Sequence, residues 1–376
     1  MFDVSTTEIT REIAWVSILM YSIALIYTLA TYRKWTTTSN GWFRNLFWLL
    51  FFCVFAITYA IDSDFFHYKE MVSETREVLE YGLERVYQYI ILSTNNNYFL
   101  FRLIVFGGAV FVYYLVLGRF KINKMQGLLL MVVVFGGVFS YARATLAFSV
   151  YYLGLSFLLE LNSKDTINKH LFFYRILGVL LGCGLIISSY YFHRSMILLI
   201  AFTPFAFLKL GKRGVWAMTI LSPILLFVAL SLLGNVFSIL FYDEVIEHRI
   251  TDTYAEAIDA EANWRGVISN ILSYGRFVLC FIFVSMSIFK NGITMRREIK
   301  QLYSYYVVLS LFSVISYPLF EGNSIYAIRF LRMTIVPIVI IVTYLYSNGM
   351  LPAKQLKCIL YVSMLFSLST FARYIF

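Results

Sequence analysis

The sequence predicts an all-α polytopic integral membrane protein. Three observations carry that expectation. The 376 residues are 60% hydrophobic and only 14% charged, with a mean hydropathy of +0.75. A soluble domain is nearer half apolar and a quarter charged. The chain also divides into about twelve apolar runs (range about ten to thirteen), several near the roughly 20 residues that cross a bilayer. Finally, the basic residues cluster in alternate connections. No polar stretch is long enough for a separate soluble domain, so residues 1–376 read as a single membrane domain.

Taken in order, the spans are predicted at 14–31, 45–61, 98–118, 126–141, 145–161, 171–190, 195–210, 215–241, 267–289, 302–319, 325–346 and 356–373. The first apolar run, Ala14 to Ala30, follows Asp3, Glu8 and Glu12 rather than a basic segment. It is expected to be a retained span, not a cleaved signal peptide. Cys53, Cys183, Cys280 and Cys358 all lie inside apolar runs, without metal-site or redox-motif spacing. They read as small buried hydrophobes.

Alternate connections carry Arg33, Lys34 and Arg44; Arg119, Lys121 and Lys124; Lys164, Lys169 and Arg175; Lys209, Lys212 and Arg213; Lys290, Arg296, Arg297 and Lys300; and Lys354 and Lys357. Those connections hold 18 of the 31 basic residues but only three of the 21 acids, Glu160, Asp165 and Glu298. The positive-inside rule places them in the cytoplasm, with both termini outside. The net charge of +10 then reflects membrane anchoring, and no nucleic-acid partner is expected.

Two outward segments are long. In 62–97, Val72, Leu79, Leu83, Val86 and Ile90 recur at helical spacing among Glu70, Glu74, Glu77, Glu80 and Glu84. This pattern predicts an amphipathic helix on the outer interface. The second, 242–265, is an acidic loop containing Glu244, Glu247, Asp252, Glu256, Asp259 and Glu261. Each segment fits a lid over a site, and each equally fits a solvated cap.

The ionisable residues within or beside apolar runs gather on the outward side. They are Asp62, Asp64 and His67; Arg143; His193 and Arg194; Glu321; and Arg329 and Arg332. Arg102 and Arg276 also lie inside apolar runs. Such groups are costly in hydrocarbon and persist where they face a polar cavity or a partner. Arg143 sits among small residues in Ser140-Tyr141-Ala142-Arg143-Ala144-Thr145. It reads either as a structural ion pair or as a phosphate clamp, since a guanidinium fork matches phosphate oxygens. Arg329 and Arg332, three apart, share a helix face. With Arg143 and Arg194 they suggest a ligand bearing at least two phosphates.

Asp62-Ser63-Asp64 has the D-x-D spacing of metal-binding glycosyltransferases, but Asp64 and His67 are too few ligands for a metal site. No metal and no cofactor are predicted. A general base acting on a sugar hydroxyl has three candidates, Asp62, Asp64 and His193.

Taken together these residues resemble the EpsG-like branch of the Wzy-type polysaccharide polymerases. The resemblance runs through Asp64-Phe65-Phe66-His67-Tyr68, then Glu80-Tyr81-Gly82, then Arg143-Ala144-Thr145-Leu146-Ala147. It continues with His193-Arg194-Ser195-Met196-Ile197 and ends at Arg329 or Arg332. Order and spacing agree over roughly residues 50–345. One departure is Ala144, where the family often has Gln.

The resemblance implies a bacterial inner-membrane glycosyltransferase of GT-C-like architecture. It would join oligosaccharide repeat units carried on undecaprenyl diphosphate into O-antigen, capsule or exopolysaccharide. The growing chain would leave its lipid diphosphate for the non-reducing end of a new unit. Undecaprenyl-diphosphate-linked oligosaccharide and the bilayer are the implied partners, with a chain-length regulator protein as a further one. A flippase of lipid-linked oligosaccharide, a membrane O-acyltransferase and a glycan ligase remain alternatives at this point.

Overall fold

The computed structural model describes residues 4–35, 41–58, 69, 72, 84–95, 97–135, 142–163, 169–218, 264–291, 295–319 and 330–375. Asp62, Asp64, His67, Glu321 and Arg329, and the 242–265 loop as far as residue 263, lie outside the described residues.

The described chain is helical, with no strand among the described residues. In order run α1 (Val4–Thr31), α2 (Trp42–Thr58), α3 (Arg85–Ser93), α4 (Tyr98–Arg119), α5 (Lys124–Phe135) and α6 (Ala142–Ser163). They are followed by α7 (Lys169–Phe192), α8 (Met196–Phe202), α9 (Trp264–Asn291), α10 (Arg297–Leu319), α11 (Ile335–Ser347) and α12 (Ala353–Ile375). Among the described residues six stretches are long and apolar enough to cross a membrane: Trp15–Lys34, Tyr98–Arg119, Arg143–Leu161, Arg175–Phe192, Tyr274–Asn291 and Phe330–Ser347. Arg44–Thr58, Lys124–Phe135 and Met196–Phe207 are shorter apolar helices. The protein is therefore a helical membrane protein.

Two helices are apolar on every side and form the centre. Every residue from Met125 to Phe135 of α5 and from Ile335 to Leu345 of α11 is buried, as expected of helices without a polar face. They pack on each other, and α1, α2, α4 and α12 pack around α5. Near the end of the pair, Ser347 Oγ donates to the buried Gln126 Oε1 at 3.0 Å. By contrast α7 is peripheral. Phe173, Leu177, Leu180 and Ile187 are exposed along it, a face suited to lipid.

Arg102 and Arg276 are each buried against the end of another helix. Arg102 Nε donates to the Ile57 carbonyl at 2.5 Å and Nη2 to the Ala56 carbonyl at 3.2 Å. Its guanidinium also lies 4.5 Å from the Phe106 ring centroid. Arg276 Nη1 donates to the Val134 carbonyl at 2.8 Å and covers Phe366 at 4.0 Å. Each guanidinium thus donates to buried carbonyls of a neighbouring helix, Arg102 to α2 and Arg276 to α5. A π-helical turn, Leu103–Gly107, directly follows Arg102 and widens α4 where it meets α2.

A break precedes α11. Pro337 has no N–H, so the Met333 carbonyl four residues earlier loses its helical donor. The Tyr152 hydroxyl of α6 donates to that carbonyl instead. Tyr152→Phe leaves the carbonyl unmet in a buried place, with an expected loss of about 1–3 kcal/mol. Thermal unfolding in detergent checks this.

Helices α6 and α7 are antiparallel and close because glycines meet at the crossing. A Cβ on Gly154 would lie 2.6 Å from the Gly182 carbonyl oxygen, and one on Gly182 3.0 Å from that of Gly154. Backbones can approach this way only where side chains are absent. The approach brings the start of α6 beside the end of α7.

Candidate functional site

The sequence sets three local structures side by side. Glu84 is extended (φ −60°, ψ 140°) and caps the start of α3. Arg143 occupies the first turn of α6. His193 and Arg194 form the turn between α7 and α8, closed by Met196 N donating to the His193 carbonyl at 2.9 Å. Two residues of α3's buried stripe fix its position. Tyr87 and Ile91 are fully buried, and the Tyr87 hydroxyl donates to the Arg143 carbonyl at 2.8 Å. The buried stripe thus falls one position later than the expected Val86 and Ile90. The reason is that the helix begins only at Arg85 and turns Tyr87 toward α6.

Glu84 is where these structures meet. Arg143 Nη1 donates to Glu84 Oε2 at 3.1 Å, and His193 Nδ1 lies 3.2 Å from Oε1. The Arg194 amide donates to the same Oε1 at 3.4 Å. The Glu84 side chain is 8% exposed, against 30% for Arg143 and 27% for His193. A buried carboxylate is therefore the floor, and a guanidinium and an imidazole are the rim.

Burial pushes the Glu84 carboxyl pKa up. The His193 hydrogen bond and the Arg143 charge outweigh it and hold the group down at about 2. The ionised carboxylate has only acceptors, so His193 Nδ1 carries the proton in this contact. Because the folded pKa lies below the unfolded one, the associated stability is present above about pH 4.5 and is lost as pH falls toward 2. The difference in Tm between wild type and Glu84→Gln is expected to shrink over that window, as measured by thermal unfolding from pH 6 to pH 2.

Of the sequence-predicted residues, Arg143 and His193 are joined through Glu84, and Arg194 contributes its backbone amide. Arg194's side chain is exposed. Arg332 is half-buried on the turn that precedes the Pro337 break. Through the neighbouring Met333 that turn is fastened to Tyr152. Tyr152 is nine residues along α6 from Arg143, about 14 Å at the helical rise. Asp62, Asp64 and Arg329 lie outside the described residues. Sequence reasoning missed Glu84 as a site residue. It is one of several glutamates in an acidic stretch, and only its contacts set it apart.

A helical membrane protein in which Arg143, His193 and the Arg194 amide hold the buried Glu84 carboxylate between helices is the class that fold and site define. Residues 41–376 match the EpsG family, and the chain belongs to that family. This agrees with the resemblance read in the sequence and makes the protein a polysaccharide polymerase-type membrane protein. Comparison with curated proteins and with solved structures gives no match.

Proposed function

We propose that the protein polymerises polysaccharide on the outer face of a bacterial cytoplasmic membrane, joining repeat units carried on undecaprenyl diphosphate. The observation that carries this reading is the cradle. A guanidinium, an imidazole and a backbone amide converge on one carboxylate, and the same donors suit the oxygens of a phosphate. The substrate class is the one that the sequence resemblance implies, and membership of the EpsG family supports it.

In this reading Arg143, with Arg194, Arg329 and Arg332, binds the diphosphate and stabilises the charge that develops as it leaves. A base drawn from His193, Asp64 and Asp62 takes the acceptor hydroxyl's proton. One displacement inverts the anomeric centre, by analogy with inverting glycosidases, and the proposed step uses no metal. The alternation of basic clusters along about twelve apolar runs supports both termini outside, and the GT-C-like arrangement is what the family resemblance implies. A chain-length regulator is a proposed partner.

Deletion in the native host tests the reading. Loss of polymer with accumulation of single lipid-linked repeat units is the expected phenotype. Normal polymer, or repeat units trapped on the cytoplasmic side, contradicts it, the second result pointing to a flippase.

A further inference from the structure

We infer that Glu84 is a positioning residue for this transfer, holding His193 with Nδ1 protonated so that Nε2 is the basic nitrogen, while Arg143 balances the carboxylate charge. The inference rests on the polymerase reading and deepens it by selecting one base among three.

The geometry supports it from each side. The Glu84 oxygens are divided: Oε1 meets His193 Nδ1 at 3.2 Å and the Arg194 amide at 3.4 Å, and Oε2 meets Arg143 at 3.1 Å. An imidazole so held has one tautomer and one orientation. Glu84 itself is unsuited to the role of base, because a carboxyl that stays ionised down to about pH 2 accepts a proton poorly. Among the described residues Glu84, from the segment before α3, lies against His193, Arg143 of α6 pairs with the same carboxylate, and the Arg194 amide of the turn donates to it. Glu84 and Arg143 together are neutral, so the carboxylate orients the ring without adding net negative charge beside a diphosphate.

The step balances as follows. The acceptor sugar's hydroxyl oxygen bonds to the donor's anomeric carbon, and its proton passes to His193 Nε2. The bond from that carbon to the diphosphate oxygen breaks, and its electron pair leaves with the lipid diphosphate. The imidazolium then releases the proton to water.

Two measurements on the full-length protein in lipid nanodiscs test this. The first is nitrogen-15 spectroscopy of labelled histidine, with His193→Asn identifying the signal among the four histidines. Wild type is expected to show the Nδ1-protonated form of His193, and Glu84→Leu, which leaves no acceptor there, to lose it. The second is polymerisation of lipid-diphosphate-linked repeat units. In Glu84→Gln, kcat falls on the order of a hundredfold with KM changed by less than about threefold. The acid limb of its pH profile moves to lower pH, because the carboxylate that favours the protonated ring is gone. Glu84→Asp recovers part of the rate.

A His193 tautomer unaffected by Glu84→Leu overturns the inference, as does a variant that loses folded protein while kcat and pH profile stay unchanged. A different result marks failure of the underlying reading. If wild type shows the expected tautomer yet makes no polymer from authentic lipid-linked units, the polymerase assignment is overturned while the Glu84–His193 pair stands.

Discussion

Arg143→Ala is expected to abolish long polymer, lowering the polymerisation rate by roughly 10²–10³-fold, the usual loss when one preorganised charge-stabilising donor is removed. The same substitution strands the buried Glu84 carboxylate, which loses its 3.1 Å partner. Removing one member of a buried ion pair costs about 3–5 kcal/mol. Arg143 is 30% exposed, which brings the expected loss to about 1–3 kcal/mol. The two effects separate in Arg143→Ala/Glu84→Gln. There the uncompensated charge is gone, so Tm recovers, which isolates the stability effect; the clamp role is read from Arg143→Ala alone, since Glu84→Gln lowers kcat by itself. Polymer length on gels, read beside thermal unfolding, checks both. Long polymer of normal length distribution from Arg143→Ala contradicts the clamp role.

Gly154→Val is expected to reduce stability by about 3 kcal/mol or more, at or beyond the upper end of ordinary overpacking. The added Cβ would meet a backbone carbonyl at 2.6 Å and the Ile186 backbone nitrogen at 3.0 Å. Neither can rotate away, so α6 and α7 must separate. Arg143 begins one helix and His193 follows the other, so polymerisation falls with the packing. Gly184→Ala is the control. It lies on the same helix as Gly182, nothing stands within 4 Å of its Cβ position, and its Tm is expected to hold or rise slightly through helix propensity. Parallel thermal unfolding of the two variants tests the difference.

The helices were legible because long apolar runs have few alternatives in a membrane. The burial of α5 and α11 follows from their being apolar all round. Arg143 and His193 stood out because an ionisable group beside an apolar run demands a partner. Which partner was not legible. Glu84 is 59 residues from Arg143 and 109 from His193, in a stretch where Glu70, Glu74, Glu77 and Glu80 look equivalent. Arg102 and Arg276 were equally conspicuous in sequence, but their partners include backbone carbonyls, which every residue type carries. Their structural role is visible only once α2 and α5 are seen to pack against them. The outcomes differ because a side chain that neutralises Arg143 can be sought by type, whereas a carbonyl cannot.

Reconstitution addresses the central claim most directly. Purified protein in liposomes receives a lipid-diphosphate-linked repeat unit as the sole substrate. A ladder of glycan lengthened by whole repeats is expected, with one lipid diphosphate released for each bond formed. Transfer of the unit between leaflets without lengthening, or acyl transfer without a new glycosidic bond, contradicts it.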